Sequence, residues 1–179
     1  MSSRKHKLYG ITRRGFALAA LLALGGCFEP MYGDRNFGNS NINIRTVLRD
    51  VEIVPIEGRV GQELRNDLIF ELSGGAGNPV GAPYQLLLRV ATNSFSAILD
   101  RQSGLAQAET IMLDVNFRLK DVANDKIVMT DKVIARVTVD STNQRYARIR
   151  AMREAENRAA QEIAEQIRSR IASYFLVKT

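Results

Sequence analysis

Two stretches of strict alternation constrain this chain more than anything else in it. Within residues 106–122, Ile111, Leu113, Val115, Phe117 and Leu119 alternate with Met112, Asp114, Asn116, Arg118 and Lys120. Residues 126–140 repeat the pattern, with Val133, Ala135, Val137 and Val139 set against Ile134, Arg136, Thr138 and Asp140. Successive side chains on a strand point to opposite faces. A period of two therefore demands a sheet with one face on a core and the other polar. Ala123-Asn124-Asp125 supplies the turn between the two strands. Upstream, a strand is predicted from Tyr84 to about Leu99, opening with "YQLLLRV", and residues 100–104 turn the chain.

The remaining elements follow from period and punctuation. Val51 to Ile56 predicts a short strand whose end, at Pro55, sits at an edge or bulge. Val60, Leu64, Leu68 and Leu72 recur every four residues and predict a helix over 60–72, closed at Gly74 by a left-handed cap. A long terminal helix is predicted from about 143 to 173, roughly 45 Å at 1.5 Å per residue. Ser141 and Gln144 stand at capping-box spacing before it. Its apolar stripe is Ile149, Met152, Ala159, Ile163, Ile167, Ile171 and Tyr174. The expected fold is α+β: two helices packed on one face of a four-stranded, mostly antiparallel sheet, in the order β-α-β-β-β-α. The glycine-rich loop "SGGAGNPVGAP" lacks the Gly-Lys-Ser/Thr ending of a phosphate loop and opens no helix.

The N-terminus is organised differently. Arg4, Lys5, Lys7, Arg13 and Arg14 precede any acid, and the nine apolar residues Phe16 to Leu24 follow. That run is far short of the roughly 20 residues that span a bilayer. It has the form of a secretory signal peptide. Thr12-Arg13-Arg14-Gly15-Phe16 fits a twin-arginine signal or an ordinary basic leader, and the export route stays open. Leu24-Gly25-Gly26-Cys27 resembles the lipobox of bacterial lipoproteins. The small residue lets the peptidase approach, and the thiol takes a diacylglycerol. The expected organisation is a signal peptide over 1–26, a lipidated tether over 27–46 and one α+β domain over 47–179. The expected non-protein groups are a diacylglycerol and an N-acyl lipid such as palmitate, both on Cys27. Two or more acyl chains make a stable anchor. Phe28 stands where aspartate would retain a lipoprotein in the inner membrane, so an outer-membrane location on the periplasmic side is expected.

Composition narrows the chemistry. The chain has 25 basic and 19 acidic residues, but five of the basic ones lie in the leader, leaving 20 against 19. A nucleic-acid binder is not indicated. The only histidine is His6 and the only cysteine is Cys27. After leader cleavage and acylation, no Ser-His-Asp, Cys-His or zinc-ligand set is available. A carboxylate pair could still do acid–base work, but spacing singles none out, and the expectation is a non-enzyme with no metal. Two basic groups attract notice. Arg118, Lys120 and Arg136, with Lys132 beside them, project from the polar side of the strands, where they suit a phosphorylated glycolipid or serve solubility in charge pairs with Asp114, Asp131 and Asp140. Arg145 and Arg148 belong to a basic cluster at the start of the last helix, an anion site or a solvated face.

Cys27-Phe28-Glu29-Pro30-Met31-Tyr32-Gly33 resembles the beginning of the mature lipopolysaccharide-assembly lipoproteins, the LptE family. The family motif falls on Cys27, Phe28, Pro30 and Tyr32. The expected order of elements is also similar. This chain lacks the glycine that many relatives carry between the cysteine and the aromatic, and Met31 replaces a common leucine. The resemblance implies a partner, the large outer-membrane β-barrel that exports lipopolysaccharide, and a role as its plug and assembly factor. It also implies contact with the lipopolysaccharide itself. The alternative is a lipid-binding or auxiliary lipoprotein of another envelope transport complex, which a deep apolar groove would mark.

Overall fold

The computed structural model describes residues 43–99, 106–140 and 144–178, all within one unit spanning Asn36–Thr179. The leader, the Cys27 motif, the 100–104 turn and Ser141 of the capping box lie outside the described residues. The elements are α1 (Ile44–Arg49), β1 (Val51–Ile53), α2 (Arg59–Ser73), β2 (Tyr84–Leu99), β3 (Ala106–Asp121), β4 (Lys126–Asp140) and α3 (Arg145–Lys178). The strands form one sheet in the order β1-β2-β3-β4. β1 runs parallel to β2, and the other pairs are antiparallel.

The alternation works as its chemistry demands. Ile111, Leu113, Val115, Phe117 and Leu119 of β3 are buried, as are Leu86 of β2 and Val133 and Ala135 of β4. Each fully buried aliphatic side chain contributes about 1.5–3 kcal/mol, so this layer carries much of the stability. The helices cover it. α3 lies on β3 and β4, and α2 packs against α3 and β1. Leu64, Leu68 and Leu72 form the buried face of α2, as their four-residue spacing requires. α3 meets the sheet through Ala155, Ala159, Ala160, Ile163, Ala164, Ile167, Ile171 and Ala172. The small alanines bring the helix close, and the isoleucines fill the gaps between strands.

Two glycines are dictated by geometry. Gly74 sits at φ 65° after α2, and its N–H donates to the Phe70 carbonyl at 2.8 Å, the expected left-handed cap. Gly61 faces Ile56 so closely that an added Cβ would lie 2.7 Å from the Ile56 Cγ2.

Four details differ from expectation. The irregular segment read up to residue 46 gives way earlier, to α1. Asn43 caps that helix by accepting from the Arg45 N–H, and Ile44 and Leu48 are buried. Six residues are too few for a helical period to stand out in sequence. β1 ends at Ile53, although Val54 still donates to the Leu86 carbonyl at 3.2 Å. Pro55 cannot donate, and Ile56 turns down against α2. The stripe of α3 begins at Ala155, with Ile149 44% exposed. At the other end, Phe175 enters the core edge-on to Tyr84, ring centroids 5.0 Å apart, in place of the half-exposed Tyr174.

Candidate functional site

The face of the sheet away from α2 and α3 is uncovered by any described element. Register defines its surface. Leu87, Arg118 and Thr130 lie in one row across β2, β3 and β4, and Arg89, Asn116 and Lys132 lie in the next. Ala91, Asp114 and Ile134 follow, and then Asn93, Met112 and Arg136. The face is cationic with apolar gaps. Phe95 is 48% exposed and Ile134 37%.

Some of this charge is neutralised on the spot. Lys132 pairs with Asp114 at 2.5 Å, and Lys120 pairs with Asp125 beside the β3–β4 turn. Arg89, Arg118 and Arg136 are exposed, and among the described residues no carboxylate bridges them. Arg89 is diagonal to Arg118 across the β2–β3 pair, a residue-to-residue separation of about 7–8 Å or a little less between the side chains. Arg136, opposite Met112, is six residues further along the ladder from Arg118, about 20 Å at 3.4 Å per residue. The face thus offers a cationic pair at one end and a single arginine at the other.

The structure therefore divides the predicted basic residues. Arg118, Lys120 and Arg136 share the open sheet face. Arg145 and Arg148 belong to the helix layer on the opposite side. Arg148 closes on Glu109 of β3, its Nε donating to Oε2 at 3.1 Å, and this hydrogen bond raises the guanidinium pKa above its ordinary value. Arg148 is thus engaged within the fold, whereas Arg145 is exposed. The expected carboxylate pairing is met at Asp114, while Asp131 bonds Arg170 of α3 instead of a strand cation. Arg89 escaped sequence reasoning because it follows three leucines, which hide the parity of β2. Its place emerges only from the hairpin register with β3.

Among the described residues no cluster of three or more His, Cys, Asp or Glu could hold a metal ion, and no helix is long and apolar enough to cross a membrane. Beside the sheet lies a groove of about 470 Å³ between β4 and the C-terminal half of α3. It is apolar and open to solvent.

The family model for lipopolysaccharide assembly, LptE, matches residues 48–171. The chain belongs to the LptE family. The match runs from α1 into α3, so it rests on the folded domain and is independent of the Cys27–Gly33 motif that first carried the resemblance. A crystal structure from Caulobacter crescentus CB15, described as that of a lipoprotein, is 31% identical. It covers 77% of this chain and 98% of its own, with a TM-score of 0.63. The minor lipoprotein of Acinetobacter baumannii (14% identity, 69% and 88% coverage, TM-score 0.53) shares the fold. So does lipoprotein B of Nitrosomonas europaea (15% identity, 70% and 83% coverage, TM-score 0.55). No curated protein sequence matches the chain. Membership of the LptE family makes the chain a lipopolysaccharide-assembly lipoprotein of the cell envelope, and the α+β architecture anticipated from the alternating strands is the one these LptE-like structures display.

Proposed function

We propose that this protein is anchored to the outer membrane through acylated Cys27. We further propose that it assembles inside the lipopolysaccharide-export β-barrel as its plug, without catalysing a reaction. The observation that carries this reading is the open sheet face, which is mainly cationic with Asp114 set among its basic residues and is backed by a two-layer core. Such a surface suits the polar lumen of an outer-membrane barrel. The unbridged Arg118 and Arg136 suit phosphate groups on a passing glycolipid, since a guanidinium binds phosphate bidentately. Arg145, at the start of α3, is a second candidate contact. Lys120 and Arg148 are weaker ones, because each already holds a carboxylate.

The rival reading, a lipoprotein that hands over lipid, calls for a deep apolar groove. The groove beside β4 is apolar and so lends that reading some support, but it lies open to solvent and the Asp131–Arg170 ion pair lines it.

The test is affinity purification of the mature lipoprotein from detergent-solubilised outer membranes. A stoichiometric large β-barrel is expected, with lipopolysaccharide retention reduced by Arg118→Glu and Arg136→Glu. Recovery of an inner-membrane transporter, or of lipid alone, would reject the plug. Retention of Cys27→Ala in the membrane would reject the anchor.

A further inference from the structure

The two edges of the sheet are treated differently. At the β1 edge the side chain of Asn78 stands in for a missing strand. Its Oδ1 accepts from the Ile53 N–H at 2.9 Å, and its Nδ2 donates to the Ile53 carbonyl at 3.2 Å. Both outward backbone groups of that residue are satisfied. At the other edge, β4 runs for 15 residues with no described strand beside it. There the Lys132 N–H donates to the Asp131 carboxylate at 2.7 Å instead of to a strand. Backbone groups in an antiparallel ladder alternate between the partner strand and the outside. Thr130, Ile134 and Arg136, which share the parity of Lys132, therefore present their N–H and C=O groups outward as well.

The open groove lies directly beside this edge, on its helix-facing side. Met129 of β4 forms one wall, and Ser173, Tyr174 and Val177 of α3 form the other. The Asp131–Arg170 ion pair closes one end. A strand added to β4 would send every second side chain into this groove and the intervening ones onto the open face. Strand addition works in this way, with main-chain bonds for affinity and a pocket for alternate side chains. The exposed basic side chains along the edge include Lys126 and Arg136, while Lys132 already holds Asp114. Edge cations deter indiscriminate pairing and select a strand that brings acids.

We propose that the outer edge of β4 and its groove bind an extended segment of a partner polypeptide, apolar at alternate positions and acidic between them. The segment becomes a fifth strand. This inference does not depend on the plug reading.

The experiment selects peptides of roughly ten residues, ample to form a strand, from a random display library against the full chain in detergent. Enriched sequences should alternate apolar and acidic residues. Ser173→Arg fills the groove from an exposed position, and Ile134→Pro removes an outward N–H from the edge. Each should weaken the selected peptide about tenfold, the loss of one to two net main-chain hydrogen bonds or their equivalent. Gln161→Arg, the same charge on the exposed side of α3, should leave binding unchanged. Bound peptide should slow hydrogen exchange at the Thr130, Ile134 and Arg136 amides. Absence of enrichment, helically spaced sequences, or binding that leaves those amides unprotected would overturn the proposal. So would self-association of the chain through β4, which would make a second copy the occupant.

Discussion

Arg148, in the first turn of the long helix, reaches back to Glu109, a carboxylate on the helix-facing side of β3 with a side chain only 9% exposed. This pair ties the start of α3 to the sheet before the first buried residue of the helix, Ala155. Arg148→Ala leaves the shielded carboxylate without its partner and should lower the denaturation midpoint. Replacing both partners, as Glu109→Leu with Arg148→Ala, removes the orphaned charge and should recover most of that loss. Denaturant titration of the two variants measures it. A double variant less stable than Arg148→Ala alone would refute the account.

Gly61 makes a second sharp prediction. A methyl group there would meet Ile56 at 2.7 Å, and the Ile56 backbone carbon at 3.3 Å. Alanine normally gains about 1 kcal/mol over glycine inside a helix. Here overpacking of about 1–3 kcal/mol opposes that gain. Gly61→Ala should therefore fail to stabilise the protein and should lower its melting temperature. Shortening the neighbour with Ile56→Ala should reverse the sign of the Gly61 effect, and a double-mutant cycle reads that coupling directly.

How much of this was legible in the sequence depends on the range of the interaction that decides it. The strand pattern of β3 and β4 is local, and it placed the core face and the polar face residue by residue. The four-residue leucine spacing of α2 and its Gly74 cap are local too. Arg89 was missed because Leu86, Leu87 and Leu88 give no parity of their own, and only pairing with β3 sets it. Ile149 was assigned to the buried stripe because periodicity cannot tell where a helix leaves the sheet. The pairing of Arg148 with Glu109 spans 39 residues of sequence, beyond the reach of any spacing rule.

Acid titration should separate two aspartates with opposite responses. Asp131 is held below its ordinary 3.8, first by its hydrogen bond to Arg170 and then by the Lys132 N–H. It contributes stability above pH 3.8, and that contribution fades as pH falls through the lowered value. Asp67 is pushed above 3.8 by burial, with Glu63 and Glu71 adding repulsion from one turn away on either side. Its ionisation costs stability as pH rises through and beyond 3.8. Asp67→Asn should therefore raise the melting temperature at pH 7, by the equivalent of about 0.5 kcal/mol or less. The gain should disappear below pH 3.8. Asp131→Asn should lower the melting temperature at pH 7, by about 1 kcal/mol at most, and converge on the parent in acid.

Asn78 holds the β1 edge closed through both of its amide groups, and a change there tests whether the closure is energetic or incidental. Asn78→Ala deprives the Ile53 N–H and C=O of partners at a half-buried position. The expected loss is about 1–3 kcal/mol, since the shielded backbone groups lose their bonds without full access to water. Asn78→Asp keeps the acceptor for the Ile53 N–H but brings a second acceptor against the Ile53 carbonyl, so it should rescue little. Hydrogen exchange at the Ile53 amide distinguishes the mechanisms. Faster exchange confined to β1 means that the side chain latches a three-residue strand that is otherwise weakly held. Unchanged exchange in a destabilised protein would mean that the loop around Asn78, rather than its amide, supports the edge.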